Sequence, residues 1–126
     1  MKKIISILTP TFNEEDNVQE LYNRVKSVTS KIRKYNFEHI FIDNHSQDST
    51  VKKIKRIILK DKSVKLIVNS RNFGHFNSPF YGLMQTKANA AIQIASDLQT
   101  PPEVIKDLVL EWEKGFKTVL LVKSES

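Results

Sequence analysis

Asp97 stands at the end of an apolar run, Ala90-Ala91-Ile92-Gln93-Ile94-Ala95, and is followed by Leu98-Gln99-Thr100-Pro101-Pro102. A carboxylate placed where a buried strand leaves a sheet faces the crevice at the strand's carboxyl end, where open α/β sheets bind ligands. The Asp97 carboxylate and the Gln99 amide oxygen suit a hard divalent cation that takes its other ligands from water and phosphate. A lone aspartate at a turn is the plain alternative. Two further apolar runs end in the same way. After Ile40-Phe41-Ile42 comes Asp43-Asn44-His45-Ser46-Gln47-Asp48-Ser49-Thr50. A carboxylate closing a buried strand needs a partner or a ligand to offset its desolvation, and a nucleobase N–H would serve Asp43. Asp48 or Ser49 reads as the N-cap of the next helix.

After Ile4-Ile5-Ser6-Ile7-Leu8 comes Thr9-Pro10-Thr11-Phe12-Asn13-Glu14-Glu15-Asp16. An aromatic edge and a carboxylate beside a strand end can hold a base and its ribose. Asn13 is equally placed to be a helix N-cap, with acids favoured in the first turn by the macrodipole. A fourth segment, Ser70-Arg71-Asn72-Phe73-Gly74-His75, offers a tight turn at Gly74 and a guanidinium at Arg71 able to neutralise a diphosphate. A surface loop with one solvated arginine accounts for it nearly as well. Polar groups at three strand ends predict one shared site.

The elements that must position these groups are legible as periodicity. Apolar runs at 4–8, 39–42, 64–68, 90–95 and 118–122 read as strands, mostly continuous as in strands buried on both faces. Val18, Leu21, Tyr22, Val25, Val28 and Ile32 recur at helical spacing, as do Val51, Ile54 and Ile58. Val104, Ile105, Leu108, Val109 and Trp112 form a third face, entered through Pro101-Pro102 and closed by Gly115. A shorter helical piece is expected over 79–87. This alternation predicts an α/β fold, a Rossmann-like and mostly parallel sheet with flanking helices.

Composition narrows the classes. A chain of 126 residues is one domain with room for a core. The absence of cysteine excludes disulfides and thiolate metal sites. His39, His45 and His75 lack zinc-ligand spacing and read as polar surface or loop residues. No Ser/His/Asp order and no Gly-rich phosphate loop is present. No apolar run reaches membrane-spanning length, so the chain reads as soluble. The net charge of +6 comes mainly from lysines, clustered at Lys52-Lys53, Lys55-Arg56 and Lys60-Asp61-Lys62, with more at Lys31, Arg33 and Lys34. They read as solvated helix faces, or as attraction to phosphates or an anionic membrane. Nucleic acid is disfavoured, because aromatics do not interleave with the basic runs.

Together the four segments resemble inverting glycosyltransferases of family 2 with the GT-A fold, in the branch that loads sugars onto polyprenyl and dolichol phosphates. Thr9-Pro10-Thr11-Phe12-Asn13-Glu14-Glu15 is similar to that family's opening Pro-x-Tyr-Asn-Glu-Glu, and Ile42 to Thr50 to its Val-Asp-Asp-Gly-Ser-x-Asp-Gly-Thr. Arg71-Asn72-Phe73-Gly74 and Asp97-Leu98-Gln99-Thr100-Pro101-Pro102-Glu103 match two more segments in order. The resemblance implies that Pro10, Phe12, Asn13 and Glu14 belong to the nucleoside pocket and that Asp43 binds the base. It further implies that Arg71 and Asp97 serve the diphosphate, with Asp97 and Gln99 holding Mg²⁺ or Mn²⁺. The donor would be a UDP- or GDP-sugar, and the acceptor a polyprenyl phosphate at the cytoplasmic face of a membrane.

Three residues depart from the pattern. Ala95 replaces the first carboxylate of an Asp-x-Asp pair, Asn44 replaces a second aspartate, and His45 replaces glycine. The last predicts a less strained backbone or a different sugar contact. Family members continue past the fifth strand into a half that supplies the acceptor site and, in many, a catalytic base. Residues 1–126 are therefore expected to be the nucleotide-sugar-binding half of a longer enzyme, without turnover alone. Membrane contact would come through the missing segments or the basic surface, and an open sheet edge at 118–122 could pair between chains. The alternative is a nucleotide-binding module that has lost its chemistry, as the loss of the carboxylate at Ala95 would suggest.

Overall fold

The computed structural model describes residues 2–69, 88–96 and 101–114. The apolar runs form strands β1 (Ile4–Thr11), β2 (Asn36–Asp43), β3 (Val64–Val68) and β4 (Ala90–Gln93) of one parallel sheet, in the order β3-β2-β1-β4. Among the described residues the helices are α1 (Val18–Thr29), α2 (Thr50–Lys60) and α3 (Val104–Glu113). The chain steps from β1 through β2 to β3 in one direction, and β4 lies on the far side of β1. That reversal puts a topological switch point between β1 and β4. The strand expected at 118–122, the helical piece at 79–87 and Gly115 lie outside the described residues.

Pro10 decides where the sheet parts. On β1, Ile4 and Leu8 present their carbonyls to the β4 side, where they accept from the N–H groups of Asn89 (2.8 Å) and Ile94 (2.9 Å). Thr11 presents its carbonyl to the β2 side and accepts from the Asn44 N–H at 2.9 Å. Pro10 is the next residue turned toward β4 and has no N–H to offer, so that ladder stops at the Leu8–Gln93 pair. The β2 ladder uses the alternate residues and continues to Thr11–Asp43. β1 is thus longer than the expected run, and β4 ends at Gln93 rather than at Ala95.

Alternation along the strands divides the core. Ile5, Ile7, Phe41, Val64, Ala90 and Ile92 pack with Val18, Leu21 and Val25 of α1, Ile54 and Ile57 of α2, and Ile105 and Val109 of α3. Leu8, Ile40, Ile42 and Ala91 form a second cluster on the other side. Two expectations need correction. Ile32 lies beyond the end of α1, though it still packs against the core. His39 is not a surface residue: it is only 5% exposed, because its place in β2 turns it to the same side as Phe41. There its Nε2 lies 2.8 Å from the Thr9 hydroxyl, and its ring stacks on Phe41 with centroids 4.1 Å apart.

Candidate functional site

β1 and β2 end in register, so Thr11 and Asp43 lie side by side. Asp43 is fully buried, and the chain itself supplies partners for its carboxylate. Oδ1 accepts from the Thr11 hydroxyl at 2.8 Å and the Ser46 hydroxyl at 2.5 Å, while Oδ2 accepts from the Ser46 N–H at 2.8 Å. Of the partner or ligand that a buried carboxylate needs, the chain supplies the partner, and desolvation is offset by Thr11 and Ser46. About four acceptor positions exist on a carboxylate, and three are filled.

The loops after β1 and β2 are sewn together by two hydroxyl relays. The Asn13 N–H donates to Ser46 Oγ (2.8 Å), and that hydroxyl donates on to Asp43. The Glu14 N–H donates to Thr50 Oγ1 (2.8 Å), which donates on to Asp48. The Glu15 N–H donates to Asp48 directly at 3.2 Å, and the Glu15 carboxylate accepts from the Ser49 N–H at 2.9 Å. Burial pushes the Asp48 carboxyl up, but donors from Thr50 and Glu15 outweigh it and hold it below the usual carboxylate range. Of the two cap candidates Ser49 is the N-cap of α2, without a side-chain capping hydrogen bond. Asp48, the residue before it, accepts from the Thr50 N–H at 2.9 Å alongside the loop contact.

Asn13 is not a helix cap. Its φ of 53° and its Oδ1, which accepts from the Gln47 N–H at 2.8 Å, commit it to the loop pair. α1 starts later, after a turn in which the N–H groups of Asn17 and Val18 both donate to the Glu14 carbonyl at 3.0 Å. Of the two alternatives for His45 the less strained backbone is not met: its φ is 65°, so the left-handed backbone is retained and histidine bears the strain. His45→Gly is therefore expected to stabilise the fold by about 0.5–1 kcal/mol, relief of strain exceeding the added chain entropy. Urea melts of the two proteins check this, and a loss of stability would refute it.

The structure thus brings five of the residues named from sequence to one edge: Pro10, Phe12, Asn13, Glu14 and Asp43. Phe12 is 41% exposed, large for an aromatic with a core nearby. Glu14 Oε1 accepts from Asn17 Nδ2 at 3.0 Å. Beyond β2, the Asn69 N–H donates to the Asp43 carbonyl and Asn69 Nδ2 to Asn44 Oδ1, each at 2.8 Å, tying the end of β3 to the same platform. Arg71, His75, Asp97 and Gln99 lie outside the described residues. Among the described residues no group of three or more His, Asp or Glu is placed to hold a metal. The donor types of Asp97 and Gln99, oxygens only, fit a hard divalent ion. Sequence reasoning missed Thr11 and the relays through Ser46 and Thr50; the signal was an aspartate followed by a hydroxyl residue two or three positions on. Such a platform can present a flat, exposed aromatic beside fixed polar groups at a switch point.

Comparison with known proteins agrees with this geometry. The glycosyl transferase family 2 model matches residues 6–125. An uncharacterised glycosyltransferase of Bacillus subtilis, YkcC, is 35% identical over 95% of the chain and 37% of its own length. A bactoprenol glucosyl transferase of Shigella phage SfX is 36% identical over 96% of the chain and 39% of its length. An undecaprenyl-phosphate 4-deoxy-4-formamido-L-arabinose transferase of Pseudomonas fluorescens is 32% identical over 94% of the chain and 35% of its length. The chain therefore spans somewhat over a third of the length of these relatives. In fold it is similar to the mannosyltransferase PcManGT of Pyrobaculum calidifontis, solved with GDP-Man and Mn²⁺ (TM-score 0.73, 16% identity, 89% of this chain and 32% of that one). It is also similar to S. aureus TarS solved with UDP-GlcNAc (TM-score 0.66, 22% identity, 90% of this chain and 32% of that one).

Proposed function

The chain belongs to glycosyl transferase family 2, and from that premise we propose that the platform at the ends of β1 and β2 is the nucleoside part of a site for a nucleotide-diphosphate sugar. The observation that carries this reading is the pair of interlocked loops beside the opening that Pro10 creates between β1 and β4. In it, Phe12 stacks on the base, and Asn13 and Glu14 hold the loop edge against the ribose. The unfilled acceptor position of Asp43 takes an N–H of uracil or guanine. Arg71 neutralises the diphosphate. Asp97, with Gln99, would hold Mg²⁺ or Mn²⁺, which as a Lewis acid offsets charge on the departing nucleotide. Relatives named for bactoprenol and undecaprenyl phosphate support a polyprenyl phosphate as acceptor, at the cytoplasmic face of a membrane. A phosphate acceptor is already an anion, which lessens the need for a general base.

A thermal-shift titration with UDP and GDP, each with and without Mn²⁺, tests the reading. Ligand at about a hundred times its dissociation constant adds about 2.7 kcal/mol to the folded state. One nucleotide is expected to raise the midpoint by several degrees, more so with metal. In Asp97→Ala the metal-dependent part of that rise is expected to vanish while the metal-independent part survives. No shift with either nucleotide on a folded sample, or an unchanged metal effect in Asp97→Ala, would overturn the assignment.

A further inference from the structure

Helix α2 is built differently on its two sides. Thr50, Ile54 and Ile57 are buried against the sheet, so the helix lies along the surface of the fold. Its outward side carries Lys52, Lys55, Arg56, Leu59 and Lys60, all exposed, and exposed Lys62 follows the helix. At 100° per residue these five helical positions fill one continuous arc of about 140°. Leu59 sits within that arc between Lys55 and Lys52, and it is 84% exposed. The helix contains no acidic residue.

A solvated helix face ordinarily mixes signs and pairs its cations. α1 does so: Arg24 pairs with Glu20 and Glu103, and Lys26 with Asp61. Lys34, Lys65 and Lys114 are likewise paired. Among the described residues only Lys53 of the α2 cations is engaged, its ammonium donating to the Glu15 carbonyl at 2.7 Å. Among the described residues, Lys52, Lys55, Arg56, Lys60 and Lys62 take part in no ion pair. An unpaired basic arc with a leucine inside it complements a surface that is anionic and has hydrocarbon just beneath. A single-stranded nucleic acid would instead call for aromatic stacking partners, and α2 has none, while a duplex offers phosphates without hydrocarbon beneath them for exposed Leu59.

We propose that the outward face of α2 is a docking surface for an anionic lipid membrane, with the basic residues on the headgroup phosphates and Leu59 inserted between them. This goes beyond the donor-site reading and does not depend on it. A chain that binds neither UDP nor GDP can still bind a vesicle, so the two can fail separately.

Co-sedimentation of the chain with vesicles of phosphatidylcholine alone, and of phosphatidylcholine mixed with phosphatidylglycerol, tests the proposal. Each basic residue near an anionic bilayer is worth a factor of about five in partitioning. The chain is expected to sediment with the mixed vesicles only, and to be released as salt shortens the screening length. The K52E/K55E/R56E variant is expected to lose at least about a hundredfold in partitioning. Leu59→Ser should lose several-fold, and K31E/R33E, which lies off the face, far less than the α2 triple. Thermal melts confirm that the variants fold, since every substituted side chain is exposed. Equal binding to neutral vesicles, no binding to anionic ones, or retained binding by the α2 triple would overturn it. So would displacement from vesicles by a short DNA duplex that the α2 face binds more tightly.

Discussion

Asp43→Ala is expected to cost about 3 kcal/mol of folding stability and to abolish nucleotide binding. The substitution deletes the common acceptor of three donors, the Thr11 hydroxyl, the Ser46 N–H and the Ser46 hydroxyl, in a place that water does not reach. A buried donor left without a partner costs about 1–3 kcal/mol, and losses in one network do not add simply. The damage should also travel. Ser46 holds the Asn13 N–H, so losing Asp43 loosens the loop that carries Phe12. Asp43→Asn separates the two roles. It keeps an acceptor oxygen for the hydroxyls but sets an amide N–H₂ against the Ser46 N–H, and should cost roughly half as much. Chemical denaturation of the three proteins gives the comparison. An Asp43→Ala loss below about 0.5 kcal/mol would mean that the network does not hold the loops.

Acid should weaken the fold earlier than its carboxylates alone would dictate, and His39 is the reason. Burial lowers its pKa from 6.5 to about 3, with the Asp61 charge opposing only part of the effect. The folded-state value lies below the unfolded one, so the unfolded chain binds a proton first as pH falls. The neutral ring's contribution is therefore complete above about pH 6.5 and is lost between that value and about 3. The slope is about 1.4 kcal/mol per pH unit, or about 4 kcal/mol over the interval. Protonation would put charge on a ring packed against Phe41 and Tyr22, with Nδ1 unpaired among the described residues.

The double variant Thr9→Val/His39→Phe removes both hydrogen-bonding partners while keeping an aromatic in the stack. Its stability should be flat from pH 7 to pH 5, where the parent loses about 2 kcal/mol. Below that, Asp48, Glu103 and Glu113, whose carboxyls their hydrogen-bond partners hold low, act in both proteins alike. Parallel pH profiles for parent and double variant would remove His39 as the cause.

His39 also marks a limit of reading along the chain. Its strand was visible in Ile40-Phe41-Ile42, yet the residue type suggested surface. Parity with Phe41 turns it inward, and a threonine on the neighbouring strand gives its Nε2 a partner, which no single strand reveals. Asn13 misleads for a related reason. An asparagine before Glu14-Glu15-Asp16 satisfies the local rules for a helix start, but acceptors and donors from the loop after β2 compete for it and win. Local capping and tertiary hydrogen bonding draw on the same few groups.

The sequence by itself determined the order of strands and helices, the parallel class and the strand ends that carry polar groups, because burial on two faces and helical packing leave periods of apolar residues behind. Where the sheet opens follows from Pro10, which lacks an N–H in any fold, but only the ladders show which side of β1 feels the loss. Tertiary structure alone decided that Asp43 is satisfied by Thr11 and Ser46, that His45 bears a left-handed φ where glycine is usual, and that two loops more than thirty residues apart share their hydrogen bonds. It also decided that the cations of α2 stand apart from every described carboxylate, whereas those of α1 do not. A hydrogen bond or an ion pair is a matter of a few ångströms between groups distant in sequence, and periodicity carries no record of it.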